Sequence, residues 1–159
     1  MRIILDGMGG DNAPAAVVEG AVLAMKEMPH EIVFVGQEEV IREELKKYKY
    51  SEAQVSIVDA REVISNDEAP VRAVRSKKDS SIVKGINMVK NGEGDIFISA
   101  GSTGALLSGG LFILGRIQGI DRPALACIYP IVGGRASLLV VHRDTGEVEH
   151  KHFYDIKQY

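Results

Sequence analysis

Cysteine is almost missing from this 159-residue chain: Cys127 stands alone. That excludes an internal disulfide framework and fits a reducing compartment. No apolar run approaches the ~20 residues that a membrane-spanning helix needs. Met1-Arg2 leads straight into a strand pattern rather than a signal peptide, so the expected location is cytoplasmic. A large excess of either charge is lacking too. A net charge of −3 gives no reason to expect nucleic acid or an anionic membrane surface as the main partner. The common phosphate-loop fingerprints are absent. Gly7-Met-Gly9 has Asn12 where a dinucleotide motif needs its third glycine, and no Gly-Lys-Ser/Thr follows a glycine turn. Internal repeats and low-complexity tracts are not found either.

What is present is the composition of a globular domain, 45% hydrophobic and 26% charged, in an alternating pattern. Arg2–Asp6, Glu31–Gly36, Val55–Val58 and the run from Asp95 read as strands. Between them, helices are expected from Pro14 with Val18, Ala21, Val22 and Met25 inward, from Glu38 to Tyr48, and from Pro70 to Arg75. Another is expected after Ser80-Ser81 with Val83, Ile86 and Val89 inward, and an apolar one from Ala105 to Ile117. Ala124–Tyr129 and Ser137–Val141 are further strand candidates, Arg143–Gly146 a turn, and Glu147–Tyr159 a hairpin arm or a frayed tail. Such alternation predicts an α/β fold with a mostly parallel, doubly wound sheet.

Two strands end in glycine turns. Ser99-Ala-Gly-Ser-Thr-Gly104 links a β-rich run to a helix, a setting in which free backbone N–H groups and a positive helix end can hold an anion. Asp6-Gly-Met-Gly-Gly-Asp11 repeats the logic, with Gly9 and Gly10 at its centre. Carboxyl ends of parallel strands share one edge of the sheet, so both turns should open there. Asp6 and Asp11 would repel bare phosphate unless they bind a hydroxyl, an amide or a cation. Asp6 can equally be a strand-end acceptor of backbone N–H groups and Asp11 a helix cap. Ser102 and Thr103 can donate to an anion, cap a helix, or do both.

Other chemistry finds little support. No Ser-His-Asp pattern supports a nucleophilic triad. His150 and His152 would share a strand face, but no cysteine or carboxylate frame completes a ligand set, and no metal is expected. Arg72, Arg75, Lys77 and Lys78 form a basic cluster, read as a solvated face or as a docking patch for an acidic partner. Arg122 is expected to be structural, at the opposite edge from the glycine turns.

Four segments in order carry a resemblance: Asp6-Gly-Met-Gly-Gly-Asp-Asn-Ala-Pro14, Asp67-Glu-Ala-Pro-Val-Arg-Ala-Val-Arg75, Ile98-Ser-Ala-Gly-Ser-Thr-Gly-Ala-Leu-Leu107 and Gly115-Arg-Ile-Gln-Gly-Ile-Asp-Arg-Pro-Ala-Leu125. From residue 1 to about 130 the chain resembles the phosphate acyltransferases (PlsX) of bacterial phospholipid synthesis. The resemblance implies transfer of a fatty acyl group from acyl carrier protein to inorganic phosphate, giving acyl phosphate. It implies a fold like that of the isocitrate/isopropylmalate dehydrogenase and phosphotransacetylase group, without a cofactor. A homodimer, with peripheral membrane association in the family, is implied as well. Phosphate is then expected at Gly9, Gly10, Ser99, Ala100, Gly101, Ser102, Thr103 and Gly104. Asp6, Asp11 and Ser102 become catalytic candidates, and Arg72, Arg75, Lys77 and Lys78 a docking site for acyl carrier protein.

Relatives carry Asn at Ser102 and Ala at Gly7, both tolerable changes. After Gly133-Gly134 the match fades: the family block Leu-Leu-Leu-Asp-X-Gly-Ala-Asn is echoed only by Leu138-Leu139 and Asp144-Thr-Gly146. The expected division is an incomplete α/β domain at 1–134 and a divergent segment at 135–159, as in a truncated or frameshifted copy. Loss of the family's second cleft wall would leave activity near background and the apolar helix uncovered. A non-catalytic remnant that binds phosphate or acyl carrier protein is the alternative reading. A nucleotide-binding dehydrogenase-like domain is disfavoured by the broken glycine fingerprint.

Overall fold

The computed structural model describes residues 1–119 and, as backbone only, 125–131, 135–144 and 147–156. Contacts divide the chain into two compact units, Met1–Gly115 and Arg116–Tyr159.

The first unit is an α/β layer structure. Strands β1 (Arg2–Asp6), β2 (Glu31–Gly36), β3 (Val55–Asp59) and β4 (Ile96–Ile98) form one sheet in the order β3-β2-β1-β4. Every pairing is parallel, with Leu5 opposite Phe34 on one side and Ile98 on the other. The alternation of strand and helix patterns is the reason: a parallel pair needs a long crossover, and each crossover here carries at least one helix.

Period-two alternation sends the strand side chains to two faces. Ile32 and Phe34 pack with Val18, Ala21 and Val22 of α1 (Ala15–Met25) and with Ile41 and Leu45 of α2 (Glu38–Leu45). Ile4, Val33 and Val35 pack on the other face with Met88 of α4 (Ser81–Lys90). Val74 of α3 (Pro70–Ser76) joins Ile82, Val83, Ile86 and Ala105 in a third cluster. Each fully buried Val, Leu, Ile, Phe or Met among them contributes about 1.5–3 kcal/mol relative to exposure. The sheet is thus doubly wound, as the alternation implied.

Three helix limits differ from the sequence reading. The first begins at Ala15, one residue past Pro14. The second stops at Leu45, three residues before Tyr48. The third difference is larger: the apolar helix expected from Ala105 to Ile117 is α5 (Thr103–Gly109) followed by a π turn at Gly110–Leu114. Gly109-Gly110 lets the backbone widen to an i→i−5 bond, seen from Gly115 N–H to Gly110 O at 3.0 Å. Gly115 then ends it at φ +92°. Phe112, Leu114 and Ile117 are left exposed. Ser80 caps α4 as expected, its hydroxyl accepting the Val83 N–H.

The second unit is a three-stranded antiparallel sheet in the order β5-β6-β7, from β5 (Leu125–Ile131), β6 (Arg135–Asp144) and β7 (Glu147–Ile156). Strands β6 and β7 pair antiparallel, with Asp144 opposite Glu147; the turn expected at Arg143–Gly146 lies partly outside the described residues. The side chains of His142, His150 and His152, and all of Arg122, lie outside the described residues.

Candidate active site

In the order β3-β2-β1-β4 the chain leaves β1 toward β2 and returns to β4 on the opposite flank. The chain therefore continues to opposite sides after β1 and β4, a switch point at the carboxyl edge, the place where open α/β sheets bind ligands. Both glycine turns lie there.

They are fastened to each other through Asp6. Its carboxylate is buried, with Oδ1 accepting the Met8 N–H at 3.1 Å and Oδ2 accepting the Ser99 hydroxyl at 2.7 Å. The Ser99 oxygen in turn accepts the Gly101 N–H at 3.0 Å. The turns touch so closely that a Cβ on Gly9 would lie 2.6 Å from Asp6 Oδ2 and 2.8 Å from the Gly101 nitrogen. Gly10, at φ +104°, makes the turn that only glycine adopts without strain. These contacts make Asp6 the acceptor of one neighbouring backbone N–H and of a hydroxyl 93 residues away.

Asp11 does not cap α1; that helix has no side-chain cap. Its exposed carboxylate has no hydrogen bond or ion pair among the described residues. It borders two cavities that meet at the Asp6–Asp11 turn.

One cavity is polar, about 310 Å³, and bounded by Gly9, Gly10, Gly101 and Ser102 from the two turns. Ser81 and Ile82, which open α4, complete that side beside Ser102, the N-cap of α5. The remaining wall is the loop Val63–Asp67. Lysine and arginine are absent from this lining, whereas Asp6, Asp11 and Asp67 belong to it. The other cavity, about 580 Å³, is mainly apolar and lies along α1 and the sheet.

The Ser99–Gly104 stretch is divided by this geometry. Ser99 and Ala100 border the apolar cavity, Gly101 and Ser102 the polar one. Ser102 is buried, and its oxygen caps α5 by accepting the Ala105 N–H at 3.3 Å. Thr103 is exposed. Gly104 sits against Pro70, where a Cβ would come within 2.6 Å of Pro70 Cγ, so its lack of a side chain serves the packing of α3 on α5.

The basic cluster is also divided. Arg72, Arg75 and Lys78 are exposed, with the Arg75 guanidinium 5.3 Å from the Phe112 ring centre. Lys77 is turned inward. Its ammonium donates to Val63 O and Glu68 Oε1, both at 2.7 Å, and so ties down the loop that walls the polar cavity. The Lys77 hydrogen bond, with the Ser65 N–H next, holds the Glu68 carboxyl below its ordinary range. Ser65, Asn66 and Asp67 were not singled out as site residues from the sequence, although Asp67 opens one of its four motifs. Among the described residues no cluster of three or more His, Cys, Asp or Glu side chains could hold a metal. No helix among them is long and apolar enough to cross a membrane.

The profile of the fatty acid synthesis protein family matches residues 1–155. Proteins named phosphate acyltransferase are similar to the chain. That of Clostridioides difficile (strain 630) is 51% identical over 132 residues, 83% of this chain and 39% of the relative. That of Clostridium botulinum (strain Alaska E43 / Type E3) is 54% identical over 142 residues, 89% of this chain and 42% of the relative. That of Clostridium kluyveri (strain NBRC 12016) is 49% identical over 154 residues, 97% of this chain and 45% of the relative. The chain thus spans less than half the length of these relatives.

Proposed function

Since the chain belongs to the fatty acid synthesis protein family, we propose that it serves acyl transfer from the thioester of acyl carrier protein to inorganic phosphate, in phospholipid synthesis. The observation that carries this reading is the polar cavity, where the two glycine turns, the first residues of α4 and Ser102, the N-cap of α5, converge. Backbone amides and hydroxyls there suit a phosphate oxyanion, and they suit the tetrahedral oxyanion of acyl transfer equally.

In the step proposed, a phosphate oxygen attacks the thioester carbonyl carbon and a C–O bond forms. The tetrahedral centre collapses with cleavage of the C–S bond, and the carrier thiolate leaves with that electron pair. Asp11, the unpaired carboxylate beside the cavity, takes the proton of the attacking hydrogen phosphate and returns it to the thiolate. Asp6 and Ser99 hold the turns, and Ser102 offers its hydroxyl proton while its oxygen caps α5. No cofactor is required by this step. Arg72, Arg75 and Lys78 favour an acidic carrier protein, while Lys77 supports the cavity wall. The resemblance to the acyltransferases also supports a cytoplasmic homodimer with peripheral membrane contact.

A second reading is a binder of phosphate or carrier protein without turnover, since the amides and hydroxyls lining the polar cavity suit an anion whether or not transfer follows. One experiment separates them: purified acyl carrier protein loaded with acyl chain is incubated with this protein, with and without phosphate. Phosphate-dependent release of free carrier, lost in Asp11→Asn, supports transfer. Phosphate-dependent thermal stabilisation with no release supports the binder, and neither effect would remove both.

A further inference from the structure

The first turn of α4 leaves two donors unmet. Of the N–H groups that open it, Ser80 donates to Lys77 O at 3.3 Å, Ser81 to Glu62 O at 3.4 Å and Val83 to Ser80 Oγ at 3.4 Å. The N–H of Ile82 has no partner among the described residues, although Ile82 is only 2% exposed. The side-chain hydroxyl of Ser81, a residue 1% exposed, has none among them either. Both residues line the polar cavity. Buried polar groups are nearly always paired. Alanine at position 81 would favour the helix more and leave no hydroxyl unmet. Packing within the described residues therefore gives no reason for a serine there. An acceptor in the cavity does.

The rest of the lining narrows what that acceptor is. Ser102, whose oxygen accepts the Ala105 N–H, donates its own hydroxyl proton to nothing among the described residues. Lysine and arginine are absent from the lining, and Asp11 and Asp67 bring carboxylates without a partner among the described residues. A ligand that fits both sets accepts hydrogen bonds on one side and donates one on the other. Tetrahedral oxyanions divide on this point. Hydrogen phosphate is a dianion that keeps one P–OH donor, whereas sulfate is a dianion of the same shape with no proton to give. Against an unpaired carboxylate, sulfate meets repulsion alone.

We propose that the Ser81 hydroxyl and the Ile82 N–H form the donor side of the anion seat, and that Asp11, accepting the ligand's own proton, makes the seat select a proton-bearing oxyanion over a fully ionised one. This rests on the acyl-transfer reading, which already gives Asp11 the proton of hydrogen phosphate. It adds which groups grip the anion and how one oxyanion is told from another without a cation.

The test is calorimetric titration of phosphate and of sulfate into the 159-residue protein, at fixed ionic strength and at a pH where phosphate is the dianion, so that both ligands carry the same charge. The parent should prefer phosphate by at least about tenfold, because a site built to accept a ligand's proton rejects the analogue that lacks it. Ser81→Ala should weaken phosphate about tenfold, the size of one hydrogen bond to a charged group. Its melting temperature without ligand should not fall, since the hydroxyl bonds to nothing in the free protein; a fall would make Ser81 structural and overturn its role. Asp11→Asn should narrow the preference, because an amide can donate to sulfate. Asp67→Asn should strengthen both anions alike and leave the ratio as it was. A preference that narrows in Asp67→Asn instead would overturn Asp11 as the acceptor. Equal affinity of the parent for the two anions, or parent-like phosphate binding by Ser81→Ala, would overturn the seat while leaving phosphate as the ligand. No phosphate binding in the parent would overturn the seat and the acyl-transfer reading together. Selective binding that depends on Ser81, without release of carrier protein, would support the seat and defeat transfer alone.

Discussion

The hydroxyl of Ser99 donates to Oδ2 of Asp6 at 2.7 Å across a sequence separation of 93 residues. This one bond joins the turn after β1 to the turn after β4. Because Asp6 is only 1% exposed, its oxygen has little water to turn to if the hydroxyl is removed. Leaving a buried acceptor unsatisfied costs about 1–3 kcal/mol, more when it is charged. Ser99→Ala should therefore lower unfolding stability by at least that range in urea denaturation, and speed hydrogen exchange of the Gly101 amide. A loss below about 0.5 kcal/mol would mean that the clasp is dispensable.

Phosphate should raise the melting temperature through preferential binding to the folded protein. Gly101→Val should abolish the rise, because a Cβ at that position already stands 3.3 Å from Gly9 Cα and from Ser99 Oγ. The branched side chain must then push the two turns apart. An unchanged rise in this variant moves the anion elsewhere.

The polar cavity's carboxylates should limit how tightly it binds phosphate. Removing one by Asp67→Asn should strengthen phosphate binding about fivefold, the effect of roughly 1 kcal/mol of repulsion between unit charges in a water-like medium. The gain should shrink as ionic strength rises. Weaker binding in Asp67→Asn would show that the carboxylate takes part in holding the ligand.

Lys77 should govern part of the acid sensitivity. Its hydrogen bond lowers the Glu68 carboxyl in the folded protein, so the contribution to stability is present above the ordinary carboxylate pKa of ~4.3. It is lost as the pH falls through the lower, folded-state value. Lys77→Met should flatten the fall in stability between about pH 5 and pH 3, and loosen the Val63–Asp67 wall. An acid limb identical in both proteins would remove the pair from that role.

Charge reversal on α3, Arg72→Glu with Arg75→Glu, should weaken binding of acyl carrier protein and flatten its salt dependence, since rim charges act mainly on encounter. Phosphate stabilisation should stay as it was. The Arg75 substitution also removes its cation–π contact with Phe112, worth about 0.5–1 kcal/mol at an exposed site. Surface plasmon resonance at two salt concentrations reads the outcome; identical curves would leave the cluster as a solvated face.

Local chemistry alone determined much of the protein. Apolar periodicity marked β1, β2 and β3 and the helices between them, and alternation of the two implied a parallel sheet. Turn chemistry at Gly7–Asp11 and Ser99–Gly104 pointed to one edge of the sheet, because glycines and hydroxyls after a strand are a local signal. The extent of α5 was misread, since apolar residues from Leu111 to Leu114 continue the pattern while Gly109-Gly110 lets the backbone widen.

Tertiary structure decided the rest. Pairing of β4 beside β1 brought Ser99 onto Asp6, separated the Gly101–Ser102 side from the Ser99–Ala100 side, and set Gly104 against Pro70. It also drew Lys77 into the loop beneath the polar cavity while Arg72 and Arg75 stayed outside. A sequence shows what each residue can bond to, but not which distant partner the crossovers bring within 3 Å. That choice belongs to the order of strands in the sheet, through which the backbone's long-range hydrogen bonds and the burial of both sheet faces are satisfied together.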